Sequence, residues 1–478
     1  MKALIDALNT LFWNYVLIYG LLAVAVFFTL RLGFLQFRHL GEFFRLRRGE
    51  GDAASGITPF QALCTTLASR VGTGNIAGVA VALNLGGPGA IFWMWMVALF
   101  GMATAYAEST LAQVYKTRDE TGTFRGGPAF YMERGLNARW AGLLFSVCLI
   151  LSFGLVFNAV QANSIAEAFE GAFGLSRLPV GLVLAALSAM VIFGGIRRVA
   201  HVSQWVVPFM ALAYVLMALY VMAVNLPAVP AVLASIVQHA FGWGEAAGGA
   251  AGSLTAALLN GVKRGLFSNE AGMGSAPNAA ASAVTGHPSN QGFVQALGVF
   301  IDTLIVCTAT AVMILLSGAL QPGSELTGIQ LTQAALVRHV GPLGGPFVAV
   351  AVFFFAFTSI VGNYVYAESS MVFLGLGRRL WLTGLRVAAL AMVVWGALQS
   401  VATVFDAADA SMGLMATVNL LAIVLLSGVV VTLTRDYLQQ KRTGQVPRLQ
   451  AQTLTAVRGH VDRDVWPAAP APQDPRHG

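Results

Sequence analysis

Charge is scarce in this chain. Asp, Glu, Lys and Arg make up 10% of its 478 residues, while 57% are hydrophobic; an ordinary soluble domain carries about 25% charged residues. A soluble core cannot absorb that excess. Cysteine is scarcer still: Cys64, Cys148 and Cys307 are the only three, all in apolar stretches without paired spacing, which points away from a disulfide framework and from a thiolate zinc site. The seven histidines, His39, His201, His239, His287, His339, His460 and His477, never fall in ligand spacing. A metal or haem enzyme is therefore not expected. Neither a nucleophile and base set nor polar stripes along several apolar stretches can be read, which argues against an enzyme and against a channel.

What the chain has in abundance is hydrophobic runs of about 20 residues, the length that crosses a bilayer as a helix. Eleven spans are expected, near residues 11–33, 59–85, 90–114, 140–168, 178–196, 203–224, 250–284, 291–319, 344–376, 380–399 and 411–434. The expected fold class is an all-α integral membrane protein. With the N-terminus outside, 21 of the 28 Lys and Arg residues fall in inner loops and the C-terminal segment. Lys2, Arg177 and Arg338 fall outside, and Arg70, Lys263, Arg264 and Arg386 lie within spans. Retention of Lys and Arg on the cytoplasmic side sets orientation, so the chain is read as N-out and C-in, which an odd number of spans also requires. The formal charge of +7 then belongs against anionic lipid, not nucleic acid.

Four units follow. Residues 1–58 hold one span and the stretch where Phe34, Phe37, Leu40, Phe43 and Phe44 alternate with Arg38, Arg45, Arg47 and Arg48. That is the pattern of a helix lying in the interface, a basic loop being the alternative. Residues 59–224 and 250–434 hold five spans each, and 435–478, rich in Pro, Gln and charge, is expected to be a disordered cytoplasmic tail. Five spans reverse the side from which the next unit starts, so the two units are inverted relative to each other. Asn269 lies 196 residues after Thr73, and Thr358 lies 197 after Gln161; one offset relates both pairs of polar intrusions.

Two spans are broken midway by polar, glycine-rich stretches: Ser69 to Asn75, and Lys263 to Gly272. Backbone groups freed at membrane depth cost on the order of several kcal/mol unless protein, water or a ligand meets them. A helix restarting near Asn75 aims free N–H groups and its positive end at the bilayer middle, which suits a carboxylate. Gly72 and Gly74 allow close approach, and Thr73 adds a hydroxyl; simple helix packing is the competing explanation. Arg70 is expected to be held by Glu108 or Glu270 rather than offered to substrate.

In the second break Lys263, Arg264 and Glu270 can compensate one another, leaving Ser268 and Asn269 to face a site. A helix stopped there presents carbonyl oxygens, which suit an ammonium. A zwitterion between the two breaks has both ends satisfied. Gln161 shares a helix face with Asn158 and is assigned to substrate; for Asn158 an interhelical hydrogen bond is an equal alternative. Thr358 and Ser359 either bond back to carbonyls a turn earlier or join the carbonyls of Ala68, Val71 and Phe355 as oxygen ligands for a small hard cation such as sodium. Asp302 and Glu368 are intramembrane acids, read as paired with Lys263, Arg264 or Arg386 or as proton relays.

The stretches Val71-Gly72-Thr73-Gly74-Asn75-Ile76-Ala77-Gly78, Gly86 to Trp95, Lys263 to Pro277, Arg125-Gly126-Gly127-Pro128, Phe300 to Thr303 and Ala356 to Tyr364 together resemble the alanine or glycine:cation symporter family, over about Thr58 to Leu433. The resemblance implies the leucine-transporter class of fold, with ten core helices in inverted repeats and an extra N-terminal helix. It also implies cotransport of alanine or glycine with sodium, occasionally protons, by alternating access across a bacterial inner membrane. It places the substrate carboxylate at Thr73 and Gly74 with Gln161 beside it, and the ion near Ala68, Val71, Thr358 and Ser359. Where this chain has Asn363, some members carry tryptophan, which implies a more polar and less filled pocket here. A proton-coupled symporter of the same fold is the close rival.

Overall fold

The computed structural model describes residues 2–45, 56–120, 122–242, 250–321 and 326–466. Among these, regular structure is helical apart from one antiparallel pair, β1 (Thr117–Arg118) with β2 (Phe124–Arg125). Eight helical stretches among the described residues are long and apolar enough to cross a bilayer, from Asn9–Arg31 to Val401–Leu425. The chain is an all-α, multi-pass membrane protein, as its composition requires. A continuous helix answers its own peptide groups, which hydrocarbon demands. Of the remaining expected spans, 178–196 is the shorter helix Arg177–Ile192, and 59–85 and 250–284 are broken.

The elements that position the site are α1 (Ile18–Arg31), α2 (Pro59–Arg70), α3 (Val79–Gly86), α4 (Gly89–Val114), α5 (Phe157–Phe173), α6 (Gly195–Val224), α7 (Ala250–Asn269), α8 (Pro288–Val299), α9 (Gly344–Phe373), α10 (Val401–Leu425) and α11 (Ser427–Arg442). Helix α2 starts on a capping box: Thr58 Oγ1 accepts from Gln61 N–H at 3.1 Å, and Gln61 Oε1 accepts from Thr58 N–H at 3.0 Å, with Pro59 at the first position. It stops where Val71 turns to φ −76°, ψ 83°. The chain then resumes through the π-helical segment Gly74–Gly78 into α3.

The second break differs from its expected extent. Helix α7 runs unbroken through Lys263, Arg264 and Ser268 to Asn269; Glu270 leaves it at φ 57°, and Gly272 and Gly274 continue at φ 93° and 81°. The polar residues expected to open the helix find partners on neighbouring elements instead, so the opening comes only at Glu270, and Gly272 and Gly274 continue it at positive φ. Where helices press together, small residues make room. A Cβ on Gly292 of α8 would lie 2.4 Å from Thr110 Oγ1 of α4, and one on Gly261 of α7 would lie 2.4 Å from the carbonyl of Ala90.

Two further expectations are corrected. The span placed at 411–434 is two helices, α10 and α11, so the helix entering the membrane starts at Val401. The segment read as disordered from residue 435 is helical to Arg442 and then packs as a strap as far as Trp466. Leu449 N–H donates to Gly286 O at 2.9 Å, His460 N–H to Arg134 O at 2.9 Å, and the buried Trp466 Nε1–H to Gln113 O at 3.2 Å. A polar tail builds no core of its own, but it can satisfy groups at the ends of helices already folded. Residues 467–478, with the Pro-Ala-rich stretch, lie outside the described residues, as do Arg47 and Arg48 of the expected interfacial helix. The rest of that stretch forms two short helices, Leu35–Arg38 and Leu40–Phe43, with Phe34, Phe37, Leu40 and Phe44 exposed and Phe43 buried.

Candidate functional site

The break after α2 faces two other helices. Thr73 N–H donates to Gln161 Oε1 of α5 at 3.0 Å, and Gly72 N–H donates to Asn75 Oδ1 at 2.9 Å. A Cβ on Gly72 would lie 2.3 Å from Ser359 Oγ of α9 and 2.9 Å from Gln161 Oε1. Thus Gly72 is glycine because an amide and a hydroxyl occupy the space beside it. Thr73 Oγ1 is buried and has no hydrogen-bond partner among the described residues, an unmet polar group of the kind that calls for an explanation such as a functional role. Gly74 meets a different surface: its Cβ would lie 3.0 Å from the Phe267 ring and 3.1 Å from Ser268 Cα. The C-terminal turn of α7 therefore abuts the restarted helix, setting the negative end of one helix beside the positive end of another.

Of the oxygens assigned to a cation, those of Thr358, Ser359, Phe355 and Ala68 lie near one another. Thr358 Oγ1 lies 3.0 Å from Phe355 O and 3.5 Å from Ala68 O, and Ser359 Oγ lies 3.0 Å from Phe355 O. The bonds to Phe355 are the back-bonds a lone helix would show; the approach to Ala68 crosses between α9 and α2. Val71, out of the helix at its ψ of 83°, sits between Ala68 and the Gly72 that touches Ser359. Among these residues the donor set is neutral oxygen only, which fits a hard monovalent cation.

Ser268 and Asn269 turn towards the π-helical segment Phe300–Cys307. Ser268 Oγ donates to Asp302 Oδ2 at 2.7 Å, and Asn269 Nδ2 donates to Thr303 Oγ1 at 3.3 Å while its Oδ1 accepts from Ala271 N–H at 3.0 Å. Asp302 also accepts from Asn75 Nδ2 at 2.7 Å and Thr303 Oγ1 at 2.7 Å, so hydrogen bonds, and not the expected Lys263, Arg264 or Arg386, satisfy it. Asn363 donates from Nδ2 to Asn158 Oδ1 at 3.1 Å, and its Oδ1 faces Ser69 Oγ at 2.7 Å. Asn363 is thereby tied to Ser69 at the end of α2, just before the break.

The charges pair differently from expectation. Arg70 donates to Gln295 O at 3.2 Å and Gln295 Oε1 at 3.4 Å; among the described residues no carboxylate lies within the 4.0 Å of an ion pair. Glu108 instead accepts from Gly272 N–H and Asn419 Nδ2, and Glu368 pairs with Arg125 at 2.8 Å rather than with a cation of the spans. Lys263 and Arg264 meet Asp409 of α10, not Glu270. Arg264 also lies over the rings of Phe267 and Phe405, and Phe267 stacks on Phe157, closing one side of the break with aromatics. A last span started at residue 411 leaves Asp409 out of the membrane, which hides it; two uncompensated cations within α7 are the signal that an acid has to face them.

Interrupted helices whose ends meet, with freed peptide groups answered by side chains of neighbouring helices, are the construction of a secondary transporter. The fold agrees: MhsT in complex with L-phenylalanine matches with a TM-score of 0.53 over 81% of this chain and 89% of that one, at 15% identity. A Na+-coupled sialic acid symporter in its substrate-bound outward-open state gives 0.53 over 91% and 93%, also at 15% identity. At that identity the likeness concerns fold alone. The chain belongs to the sodium:alanine symporter family, whose profile matches residues 1–451. Among curated relatives, the probable sodium/glutamine symporter GlnT of Bacillus subtilis is 49% identical, covering 99% of this chain and 98% of that protein. The amino-acid carrier protein AlsT of the same organism is 49% identical over 96% of each, and the sodium/alanine symporter AgcS of Methanococcus maripaludis 41% identical over 91% and 97%. The protein is a membrane symporter that moves a small amino acid together with an ion.

Proposed function

We propose that the chain imports small neutral amino acids, alanine and glycine foremost, with sodium as the coupled ion. The observation that carries this reading is the junction at Gly72, where a broken helix meets Gln161 of α5 and Ser359 of α9 within the space of one methyl group. Substrate and ion then share one structural element. The carboxylate takes the amides and hydroxyl at Thr73 and Gly74, with Gln161 turning from acceptor to donor as it yields the Thr73 N–H. The ammonium faces the carbonyl end of α7 near Ser268 and Asn269, and Asn363 borders the pocket through Ser69. Sodium, itself cargo, takes the oxygens of Ala68, Val71, Phe355, Thr358 and Ser359.

Because the end of α2 and the break that follows it carry groups for both, filling one half prepares the other, and the full or empty carrier reorients more readily than the half-filled one. The two five-span units act as inverted repeats, the N-terminus lies outside, the C-terminus lies inside, and the membrane is a bacterial inner membrane; the placement of 21 of 28 basic residues supports that orientation. The relatives' names differ in amino acid, so glutamine belongs in the panel beside alanine and glycine. Proteoliposome uptake of that panel with and without a sodium gradient tests the reading. Alanine uptake unchanged on replacing sodium with choline but abolished at raised external pH would select the proton-coupled alternative, and absence of counterflow would select a pore.

A further inference from the structure

Glu270 sits at the end of a hydrogen-bond chain whose direction is fixed at its other end. There Asn158 Nδ2 lies 2.9 Å from the carbonyl of Gly154, an atom that can only accept, so Asn158 has its nitrogen towards Gly154 and its oxygen away. That oxygen accepts from Asn363 Nδ2 at 3.1 Å, which orients Asn363 in turn. Its Oδ1 faces Ser69 Oγ at 2.7 Å and has no proton to give. The one hydroxyl proton of Ser69 is therefore committed to Asn363. Ser69 Oγ nevertheless lies 2.7 Å from Glu270 Oε1, and two oxygens at that separation need a proton between them. The carboxyl is the remaining source.

We propose that Glu270 is a proton-binding site of the carrier, an un-ionised acid in this conformation that donates from Oε1 to Ser69 while Oε2 accepts from Ser275 Oγ at 2.6 Å. The local backbone supports a dedicated position. Glu270 is buried at φ 57°, a conformation disfavoured for any residue with a Cβ, at the point where α7 opens. Facing it are Ser69 and Arg70 from α2, Asp302 from the segment Phe300–Cys307, Tyr366 from α9 and Ser275 from its own break. Arg70 donates to Gln295 through Nη1 and, among the described residues, comes within ion-pair distance of no carboxylate; its nearby charge opposes the protonation that the hydrogen-bond chain requires. Ser69 follows Ala68, and Glu270 follows Asn269; the protonated link thus ties the end of α2 to the end of α7. Losing the proton sets two oxygens against each other and loosens that junction. The consequence for transport rests on the proposed function, but the protonation does not.

The test uses full-length protein in proteoliposomes. Glu270→Gln reproduces the neutral acid, its NH2 donating to Ser69 and its carbonyl accepting from Ser275. Infrared difference spectra between mildly acidic and alkaline pH should show the C=O stretch of a protonated carboxyl in the wild type and lack it in E270Q. Ser69→Ala, which removes the acceptor of that proton, should shift the band. Sodium-driven alanine uptake, slowing in the wild type as pH rises, should become independent of pH in E270Q. A band that persists in E270Q or stays unmoved in Ser69→Ala overturns the assignment, and an unaltered pH profile or complete loss of alanine binding in E270Q overturns the role in transport. If neither alanine nor glycine is carried by the wild type, the substrate reading fails while the spectra still decide the proton.

Discussion

Replacing Gly72 by alanine puts one methyl group into the junction on which substrate and ion both depend. Gly72 is not among the positive-φ glycines, so alanine can adopt its backbone and the cost is steric. The added Cβ would lie 2.3 Å from Ser359 Oγ, 3.3 Å from Ser359 Cβ and 2.9 Å from Gln161 Oε1. Neither neighbour is free to move away: Ser359 Oγ is bonded to Phe355 O, and Gln161 Oε1 holds the Thr73 N–H. Overpacking of this kind costs about 1–3 kcal/mol, and pushing Gln161 aside leaves a buried N–H without its partner for about 1–3 kcal/mol more. A loss of about 2 kcal/mol, the lower bound, weakens alanine or sodium binding roughly thirty-fold. Calorimetric titration of purified protein measures it, with Gly78→Ala as control, since a Cβ there meets only Thr73 O at 3.8 Å. Wild-type affinities for both alanine and sodium in Gly72→Ala would refute the placement of the site.

Three further outcomes are expected. Thr358→Ala with Ser359→Ala should raise the sodium concentration for half-maximal uptake roughly thirty-fold, at about 1 kcal/mol for each lost oxygen; an unchanged sodium curve removes both hydroxyls from the ion site. Asp409→Ala leaves Arg264, 4% exposed, as an uncompensated buried cation, worth about 3–5 kcal/mol of stability. Thermal unfolding in detergent should show that loss, and Arg264→Met combined with Asp409→Leu should recover most of it; a wild-type melting temperature for Asp409→Ala alone contradicts the pairing. The third concerns acid and the C-terminal strap. Burial holds the His287 imidazole below its ordinary value despite its bond to Asp436 at 3.2 Å, and its Nδ1 accepts from Ser289 N–H at 3.1 Å, which a protonated ring cannot do. A lowered histidine contributes fully above about pH 6.5 and loses that contribution as pH falls towards the folded value. Hydrogen exchange in residues 443–466, linked to Asp436 through Gln440 and Arg448, should quicken on mild acidification, and an exchange rate indifferent to pH there counts against the histidine.

Which parts of this are legible in the sequence follows from the range of each interaction. Spans depend on local hydropathy, so the helices and the break at Val71 to Thr73 can be read directly. The second break is misplaced by such a reading because Lys263, Arg264, Ser268 and Asn269 look disruptive in isolation and are harmless once Asp409, Asp302 and Thr303 face them. Those partners lie up to 145 residues away, and no local pattern encodes them. The strap is misread for the same reason: its order comes from Arg134, Gln113 and Gly286, not from its own composition. For Thr358 and Ser359 the sequence leaves two readings open, a bond back along their own helix or a reach across to a neighbour, and in the structure both hydroxyls bond back to Phe355 O while Thr358 also lies 3.5 Å from Ala68 O.

A carrier site has to solve a problem that an enzyme cleft does not, since its peptide groups must be answered both with and without substrate while they lie at bilayer depth. The amide side chains at this break fit that need. Gln161 and Asn75 each hold an N–H of the break through a carbonyl oxygen; the NH2 of Gln161 can be presented after a rotation, while that of Asn75 is held by Asp302. A fixed carboxylate would hold those N–H groups more tightly and repel the incoming substrate, whereas an apolar residue would leave them unmet in the empty state. An amide avoids both penalties at about the strength of one neutral hydrogen bond. The ion pairs Arg264 with Asp409 and Arg125 with Glu368 involve none of the residues that meet at Gly72, where neutral amides and hydroxyls stand instead.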